Sequence, residues 1–183
     1  MQDILQVLRN GGTILYPTDT IWGIGCDATN ERAVKKVYNI KARVQQKSLI
    51  ILVDSLETLG HYVESIPAVA IELMKSIHDP LTIIYPRARN LASNVIAEDQ
   101  SIAIRIPKDD FCLTLLKDFG KPITSTSANL SGMPNPLFFS QISPEIIKAV
   151  DYVVKGSQPG ISRPKASSII RVNDKGDIQI IRN

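Results

Sequence analysis

The segment Leu49-Ile50-Ile51-Leu52-Val53 is an unbroken apolar run, and it indicates a strand that is buried on both faces. A helix is predicted over the preceding residues 31–41, which have an acidic first turn and an apolar stripe at helical spacing. Asn30 or Thr29, just before this range, is the N-cap candidate. A further helix is predicted from about 67 to 77. A doubly buried strand between two helices is typical of an α/β protein.

Strands and helices alternate along the rest of the chain as well. The residues Asn173-Asp174-Lys175-Gly176 separate the last two strands, and they predict an antiparallel hairpin because a parallel crossover needs a longer connection. We therefore predict a single α/β domain over residues 1–183, built on a twisted, mixed sheet. The remaining predicted elements are helices at 4–8, at 109–119 and from Ser143 onward, and strands at 13–16, 81–85, 101–106, 122–126, 152–155, 167–172 and 177–181.

The composition, 44% hydrophobic and 21% charged over 183 residues, is that of an ordinary globular protein rather than a disordered one. The net charge of +3 is compatible with an anionic ligand such as a nucleotide, or with a surplus of solvated lysines. Cys26 and Cys112 have no neighbouring Cys or His at metal-ligand spacing, so we expect reduced, structural thiols and no zinc site. The sequence has no apolar run of roughly 18 residues and no leader pattern, which predicts a cytoplasmic protein with no membrane partner.

A loop rich in small polar residues follows the first predicted strand, at Pro17-Thr18-Asp19-Thr20-Ile21-Trp22-Gly23-Ile24-Gly25. Hydroxyl groups at a strand end bind the polar atoms of ligands, and glycines let backbone N–H groups approach a ligand closely. The glycine spacing matches neither a dinucleotide fingerprint nor a P-loop. A structural turn capped by Thr and Asp explains the same residues equally well.

Three cations, Lys41, Arg43 and Lys47, lie between the end of a predicted helix and the buried strand. Lysine acts as a point charge and arginine forms a bidentate fork, so together they suit a phosphate chain or a carboxylate. In the alternative interpretation, Lys41 only complements the negative end of the helix dipole.

The segment Thr124-Ser125-Thr126-Ser127-Ala128-Asn129-Leu130-Ser131-Gly132 places five hydroxyls and an amide directly after another predicted strand. In open α/β sheets the ligand lies beyond the carboxyl ends of the strands, so these side chains are predicted to face it. A hydroxyl-rich capping turn is the alternative.

Arg105 lies inside an apolar strand. By the two-residue period, Ser101, Ala103 and Arg105 share one face, and that face is either a binding surface or simply exposed to solvent. Ser167 and Ser168 begin a later strand. The histidines, His61 and His78, have no partner at a recognisable catalytic spacing.

Four motifs stand in order along the chain: Pro17-Thr18-Asp19-Thr20-x-x-Gly23, Lys41-x-Arg43, Ser125-x-Ser127-Ala128-Asn129-x-Ser131-Gly132 and Ser167-Ser168-Ile169-Ile170. In order and spacing they closely resemble the YrdC-like family of threonylcarbamoyl-AMP synthases. The likeness covers residues 11–182. The resemblance implies a YrdC-like fold with a concave basic cleft.

The resemblance also implies a reaction in which L-threonine, bicarbonate or CO2 and ATP give L-threonylcarbamoyl-AMP and pyrophosphate. The product would pass to a separate enzyme complex that modifies an adenosine of tRNA, and tRNA or other RNA is a further possible partner. Mg²⁺ would accompany the nucleotide. Alignment and charge neutralisation supply much of the catalysis in such a transfer, so the lack of a nucleophile fits the reaction.

The roles of individual residues follow from the family pattern alone. Threonine would be bound by Thr20, Arg105, Ser125 and Ser167, with Arg105 as the partner of its carboxylate. A tetrad of Lys41, Arg43, Ser127 and Asn129 would surround the nucleotide and the carbamoyl centre, and Lys47, Ser101 and Arg182 would help to bind ATP.

The sequence departs from the family pattern at Val44 and Ser48, where proline is usual, and at His78-Asp79-Pro80. These differences leave a second hypothesis, a YciO-like paralogue that binds a nucleotide or RNA without synthase activity. A carbamoyl transferase of the hydrogenase-maturation type is the third, although such proteins are normally much longer. Few aromatic residues accompany the basic ones, which argues against RNA binding as the main function.

Overall fold

The computed structural model of the chain describes residues 1–42, 49–155 and 165–183. Helices and strands are interspersed along these residues, and several strands follow one another directly, as do the two short helices at residues 56–60 and 68–76. The α-helices are α1 (Gln2–Arg9), α2 (Glu31–Ile40), α3 (Leu56–Gly60), α4 (Ala68–Ser76), α5 (Asp110–Phe119) and α6 (Pro144–Ala149), and the strands are β1 (Ile14–Tyr16), β2 (Gly23–Gly25), β3 (Ile50–Leu52), β4 (Leu81–Tyr85), β5 (Ile102–Arg105), β6 (Ile123–Ser127), β7 (Tyr152–Val153), β8 (Ser168–Val172) and β9 (Ile178–Arg182).

The strands form one mixed sheet in the order β7-β1-β2-β6-β3-β5-β4-β8-β9. Parallel pairing joins β1 with β7, β3 with β5 and β4 with β8, whereas the other neighbours are antiparallel. The predicted α/β class and the antiparallel hairpin of β8 and β9 are confirmed. Strands from both ends of the chain share this sheet, and the single-domain organisation stays a prediction.

Two hydrophobic clusters cover the two faces of the sheet. The side chains of β3 show the division, because Ile51 packs in the cluster that contains α2, whereas Leu52 packs in the cluster that contains α1 and α5. Both residues are buried. The prediction that the 49–53 segment is covered on both faces is therefore confirmed.

The predicted helices and strands differ from the observed ones by no more than two residues at either end. Among the α-helices and strands of the described residues, the strand β2 and the helix α3 were not predicted. Two of the three residues of β2 are glycines, which have low strand propensity, so its pairing with β1 and β6 comes from tertiary contacts. Within the described ranges, no helix is both long enough and apolar enough to cross a membrane.

The backbone of β2 lies unusually close to its neighbours. A Cβ atom on Gly25 would lie 2.5 Å from the carbonyl oxygen of Thr124 and 2.7 Å from Cε1 of Tyr16. The Tyr16 hydroxyl donates to that same carbonyl at 3.1 Å, so the ring cannot move away without losing a buried hydrogen bond. Glycine is required here because there is no room for a side chain.

We expect Gly25→Ala to lower the free energy of unfolding by about 1–3 kcal/mol, because the added methyl group overpacks a buried strand. Gly60→Ala is the matched control, since a Cβ there would have, among the described residues, only Ile66 Cδ1 within 4 Å, at 3.9 Å. Urea denaturation of both variants measures the difference. Equal stability of the two variants would contradict the close packing of β2.

Candidate functional site

A cleft of about 250 Å³ opens over one face of the sheet. Its floor includes Ser125, Ile50, Ala103 and Ile84, which are paired side by side across β6, β3, β5 and β4. Its walls come from β2, β3, β4, β5, β6, β8 and β9, from the loop that follows β1, from Asn135 and from the residues just before β8. It therefore includes the loop after β1 and the polar residues near 125–127 that the sequence singles out, but residues 125–127 lie within β6 and not beyond the end of a strand as predicted. Its lining, within the described residues, consists of Thr20, Ile21, Trp22, Gly23, Ile50, Ile84, Ala103, Arg105, Ser125, Thr126, Ser127, Asn135, Ala166, Ser167, Ile169, Ile181 and Arg182.

Arg105 is almost completely buried at the floor of this cleft, with 3% of its side chain exposed. The solvent-exposed alternative for Arg105 is therefore wrong. Its guanidinium forms an ion pair through Nη1 with Oδ1 of Asp19, and its Nη2 lies 3.5 Å from the Thr20 hydroxyl. The strand face that carries Ala103 and Arg105 faces the cleft, which is why a charge interrupts an apolar strand.

Asp19 is the counter-ion that sequence reasoning missed. Its Oδ2 accepts a hydrogen bond from the backbone N–H of Lys108 at 3.0 Å, and its own N–H donates to Oδ2 of Asp109 at 3.2 Å. Oδ1 of Asp109 accepts the N–H of Cys112 and caps α5. The signal was present in the sequence, because an arginine buried in a strand requires an anion nearby.

The hydroxyls of the Thr18-Asp19-Thr20 loop bind each other and the backbone. Thr18 Oγ1 donates to the carbonyl of Ile21 at 2.8 Å and accepts the N–H of Thr20 at 3.1 Å, and the two threonine hydroxyls are 2.8 Å apart. These bonds hold Thr20 against the cleft. The loop is a capped turn and a part of the cleft wall at once, so both interpretations of the sequence apply.

Lys41 lies beneath the polar segment that follows β6 and is 2% exposed. Its ammonium group donates to the carbonyl of Ser127 at 2.5 Å, to the carbonyl of Asn129 at 2.7 Å and to Oδ1 of Asn129 at 3.2 Å. In return, the N–H of Ser131 donates to the carbonyl of Lys41 at 2.9 Å. The end of α2 and the segment 127–131 are thus joined, although they are far apart in sequence.

Ser127 and Asn129 are also bonded to each other. The Ser127 hydroxyl donates to Oδ1 of Asn129 at 2.5 Å, while Nδ2 of Asn129 donates to the carbonyl of Met133 at 2.5 Å. Ser127 lines the cleft, whereas Asn129 lines an adjoining cavity of about 510 Å³ built from residues 128–143. Asn135, which the sequence analysis did not identify, lines both cavities.

Ser167 and Arg182 form the opposite wall. The Ser167 hydroxyl is 2.7 Å from the hydroxyl of Thr82, and its carbonyl accepts Nε and Nη2 of Arg182 at 3.1 and 2.7 Å. Both residues line the cleft. The structure therefore brings the predicted threonine-binding residues and Arg182 together around one space.

The remaining predicted residues are placed differently. Ser101 is not in the described lining of the cleft, and its hydroxyl donates to Asp99 at 2.5 Å. Hydrogen bonds from Arg171 and Ser101 lower the pKa of Asp99 to about 2. Arg43 and Lys47 lie outside the described residues, so the basic character of the cleft stays a prediction.

The described part of the site offers directed hydrogen-bond donors and acceptors rather than a nucleophile. A guanidinium group and several hydroxyls suit a small polar ligand that carries a carboxylate. In the described ranges, no group of three His, Cys, Asp or Glu side chains is placed to hold a metal ion. This arrangement fits catalysis by positioning and charge neutralisation.

Both cysteines are buried, and burial is the main cause of their altered acidity. It raises the pKa of Cys26 to about 12, and it raises the pKa of Cys112 as well, where the negative charge of Asp109 adds to the effect. Because a raised pKa favours the protonated thiol, both groups are unreactive at neutral pH.

We expect neither thiol of the native protein to react with a disulfide reagent at pH 8. A pKa near 12 leaves a thiolate fraction of about 10⁻⁴, against about a quarter for an ordinary thiol, so the reaction should be at least about 100-fold slower. Both thiols should react in concentrated guanidinium. Release of two equivalents of reporter from the native protein within minutes would contradict this expectation.

The Sua5/YciO/YrdC family model, described as telomere recombination, matches residues 6–183. A threonylcarbamoyl-AMP synthase of Vibrio parahaemolyticus is 30% identical over 185 aligned residues, which cover 99% of this chain and 97% of the relative. The same name belongs to a protein of Xanthomonas oryzae pv. oryzae that is 30% identical and is matched over 97% of its length.

Solved structures share the fold. A Sua5 of P. abyssi complexed with L-threonine has a TM-score of 0.85 and 27% identity, covering 93% of this chain and 50% of that one, so this chain spans about half of the Sua5 chain. The YciO protein of E. coli has a TM-score of 0.84 at 23% identity, covering 99% of this chain and 87% of YciO. From the family model and the near full-length relatives, we conclude that this chain belongs to the Sua5/YciO/YrdC family.

Proposed function

We propose that this chain is a threonylcarbamoyl-AMP synthase, a nucleotidyltransferase that uses L-threonine, bicarbonate or CO2 and ATP. Two findings support the proposal: near full-length relatives carry this name at about 30% identity, and a related Sua5 structure was determined with L-threonine. The product would serve the modification of tRNA by a separate complex. Direct binding of tRNA and a cytoplasmic location stay predictions.

The observation that carries the proposal is the meeting of Thr20, Arg105, Ser125 and Ser167 in one cleft. These residues come from four separate parts of the chain, and each offers a polar group suited to an amino acid. The Arg105 guanidinium would bind the carboxylate, since arginine suits planar oxygen pairs. The hydroxyls would bind the amino and hydroxyl groups of threonine.

On the nucleotide side, Ser127 and Arg182 line the same cleft. The Lys41 ammonium group donates to the backbone carbonyls of Ser127 and Asn129, and its contact with the nucleotide stays a prediction. Arg43 and Lys47 would add charge for the triphosphate. Mg²⁺ would enter with ATP, and in such sites it is bound mainly by phosphate oxygens, water and one or two carboxylates.

The proposed chemistry needs alignment of three reactants. The amine nitrogen of threonine bonds to the carbon of CO2 and loses a proton, which gives a carbamate. A carbamate oxygen then attacks the α-phosphorus of ATP, and the bond to pyrophosphate breaks. Negative charge accumulates on the phosphoryl oxygens during this step, so Arg182 and the donors near Ser127 would lower the barrier.

A YciO-like protein that binds a nucleotide or RNA without the synthase reaction is the second candidate. Two sequence features favour it, the absence of proline at Val44 and Ser48, and the residues His78-Asp79-Pro80. The structural similarity to YciO concerns the fold alone, as does the similarity to HypF at 18% identity. Turnover separates the two candidates.

We expect the purified chain to release pyrophosphate from ATP only when both L-threonine and bicarbonate are present. Arg105→Gln should lower kcat/KM for threonine by about 100-fold, because a buried charge-assisted contact to the carboxylate is lost. Arg87→Gln is the matched control, since Arg87 pairs with Asp174 and Glu64 on the surface. An enzyme-coupled pyrophosphate assay gives both values.

Two results would overturn parts of the proposal. Binding of ATP without threonine-dependent pyrophosphate release would favour the YciO-like function. Full activity of Arg105→Gln would remove Arg105 from the threonine site while leaving the synthase function in place.

A further inference from the structure

The Arg105 guanidinium faces the cleft with its charge already balanced by Asp19. Only 3% of the Arg105 side chain and 11% of the Asp19 side chain are exposed. Building on the proposed function, we propose that Asp19 is a specificity-determining residue: it fixes the Arg105 fork and cancels its charge, so that the site takes an amino-acid zwitterion and rejects phosphate-bearing anions.

The Asp19 side chain and the Asp19 backbone are each held by a hydrogen bond. Its Oδ2 accepts the N–H of Lys108 at 3.0 Å, and the N–H of Asp19 donates to Asp109 at 3.2 Å. Asp109 is 8% exposed and caps α5 through the N–H of Cys112 at 2.8 Å. The carboxylate therefore cannot turn away from Arg105 without breaking contacts at the start of a helix.

The side chain of Lys108, whose backbone N–H binds Asp19, is itself held by hydrogen bonds. Its ammonium group donates to the carbonyls of Ile77 and His78 at 2.8 and 2.7 Å, just after the end of α4. The backbone N–H that binds Asp19 is consequently anchored to the segment that leads into β4. With one side of the Arg105 fork held in this way, the Nη2 group stays near the Thr20 hydroxyl, where a carboxylate can be bound.

The neutral Arg105–Asp19 pair acts differently on an amino acid and on a phosphate group. An amino acid near neutral pH carries one carboxylate and one ammonium group, so its net charge is zero and the neutral Arg105–Asp19 pair does not repel it. Its carboxylate can still be bound at the Arg105 Nη2 group near Thr20. A phosphate group carries up to two negative charges and no positive one, and Asp19 repels each of them at low dielectric. Discrimination by a repulsive element is a common route to specificity.

Such discrimination matters in a cleft shared with ATP. Arginine binds phosphate as readily as carboxylate. An Arg105 without its counter-ion would attract phosphate groups into the threonine position, and Asp19 prevents this at the cost of weaker overall attraction for anions.

The test measures threonine binding by calorimetry with and without inorganic phosphate at about 10 mM, a typical competing concentration for a weak anion site. In the unaltered protein, phosphate should change the apparent Kd of threonine by less than about twofold. In Asp19→Asn, which keeps the shape but removes the charge, the same phosphate should raise it by about tenfold or more. Asp174→Asn, on the surface pair with Arg87, should behave like the unaltered protein.

Asp19→Ser serves as a second neutral variant, and thermal unfolding establishes that each variant is folded. Phosphate competition that is equally weak in the folded neutral variants, or equally strong in the unaltered protein, would overturn the inference. A purely structural role of Asp19 would weaken threonine binding without creating sensitivity to phosphate. Threonine binding without pyrophosphate release would overturn only the synthase function, because these binding measurements do not depend on turnover.

Discussion

The ion pair between Arg105 and Asp19 is the constraint around which the cleft is organised. A guanidinium group at the centre of a sheet loses its hydration, and the loss is tolerable only when a counter-ion and hydrogen bonds replace the water. Asp19 supplies the counter-ion, and the backbone at Lys108 and the cap of α5 hold Asp19 in place. One buried charge thus joins β5, the loop after β1 and the start of α5.

A second buried charge organises the other side of the cleft. The Lys41 ammonium group at the end of α2 binds the carbonyls at Ser127 and Asn129, so the polar segment after β6 is held by a cation that is hidden from solvent. Sheet order explains why these parts meet, since β6 lies beside β2 and β3 near the middle of the sheet. Positioning by buried charges suits a reaction whose catalysis depends on alignment.

Much of this architecture was predictable from local pattern. Apolar periodicity located the long helices and the strand at 49–53, because burial of one stripe or of both faces leaves a clear signature. The strand β2 was not predictable, because two glycines give no such signature and its place follows from the close approach of Tyr16 and Thr124. Asp19 lies inside the Pro17-Thr18-Asp19-Thr20 motif, yet its role depends on Arg105, which is far along the chain.

The sequence by itself determined the kinds of chemical group available, the order of the strands and helices along the chain, and the resemblance to a family. These properties are local, or depend on spacing along the chain. Only the tertiary structure decided which polar groups share a cleft, that Ser101 bonds to Asp99 beside Arg171, and that the charges of Arg105 and Lys41 are buried and paired. The reason is physical: the free energy of a buried charge depends on its neighbours in space, and the sheet brings those neighbours from distant parts of the chain.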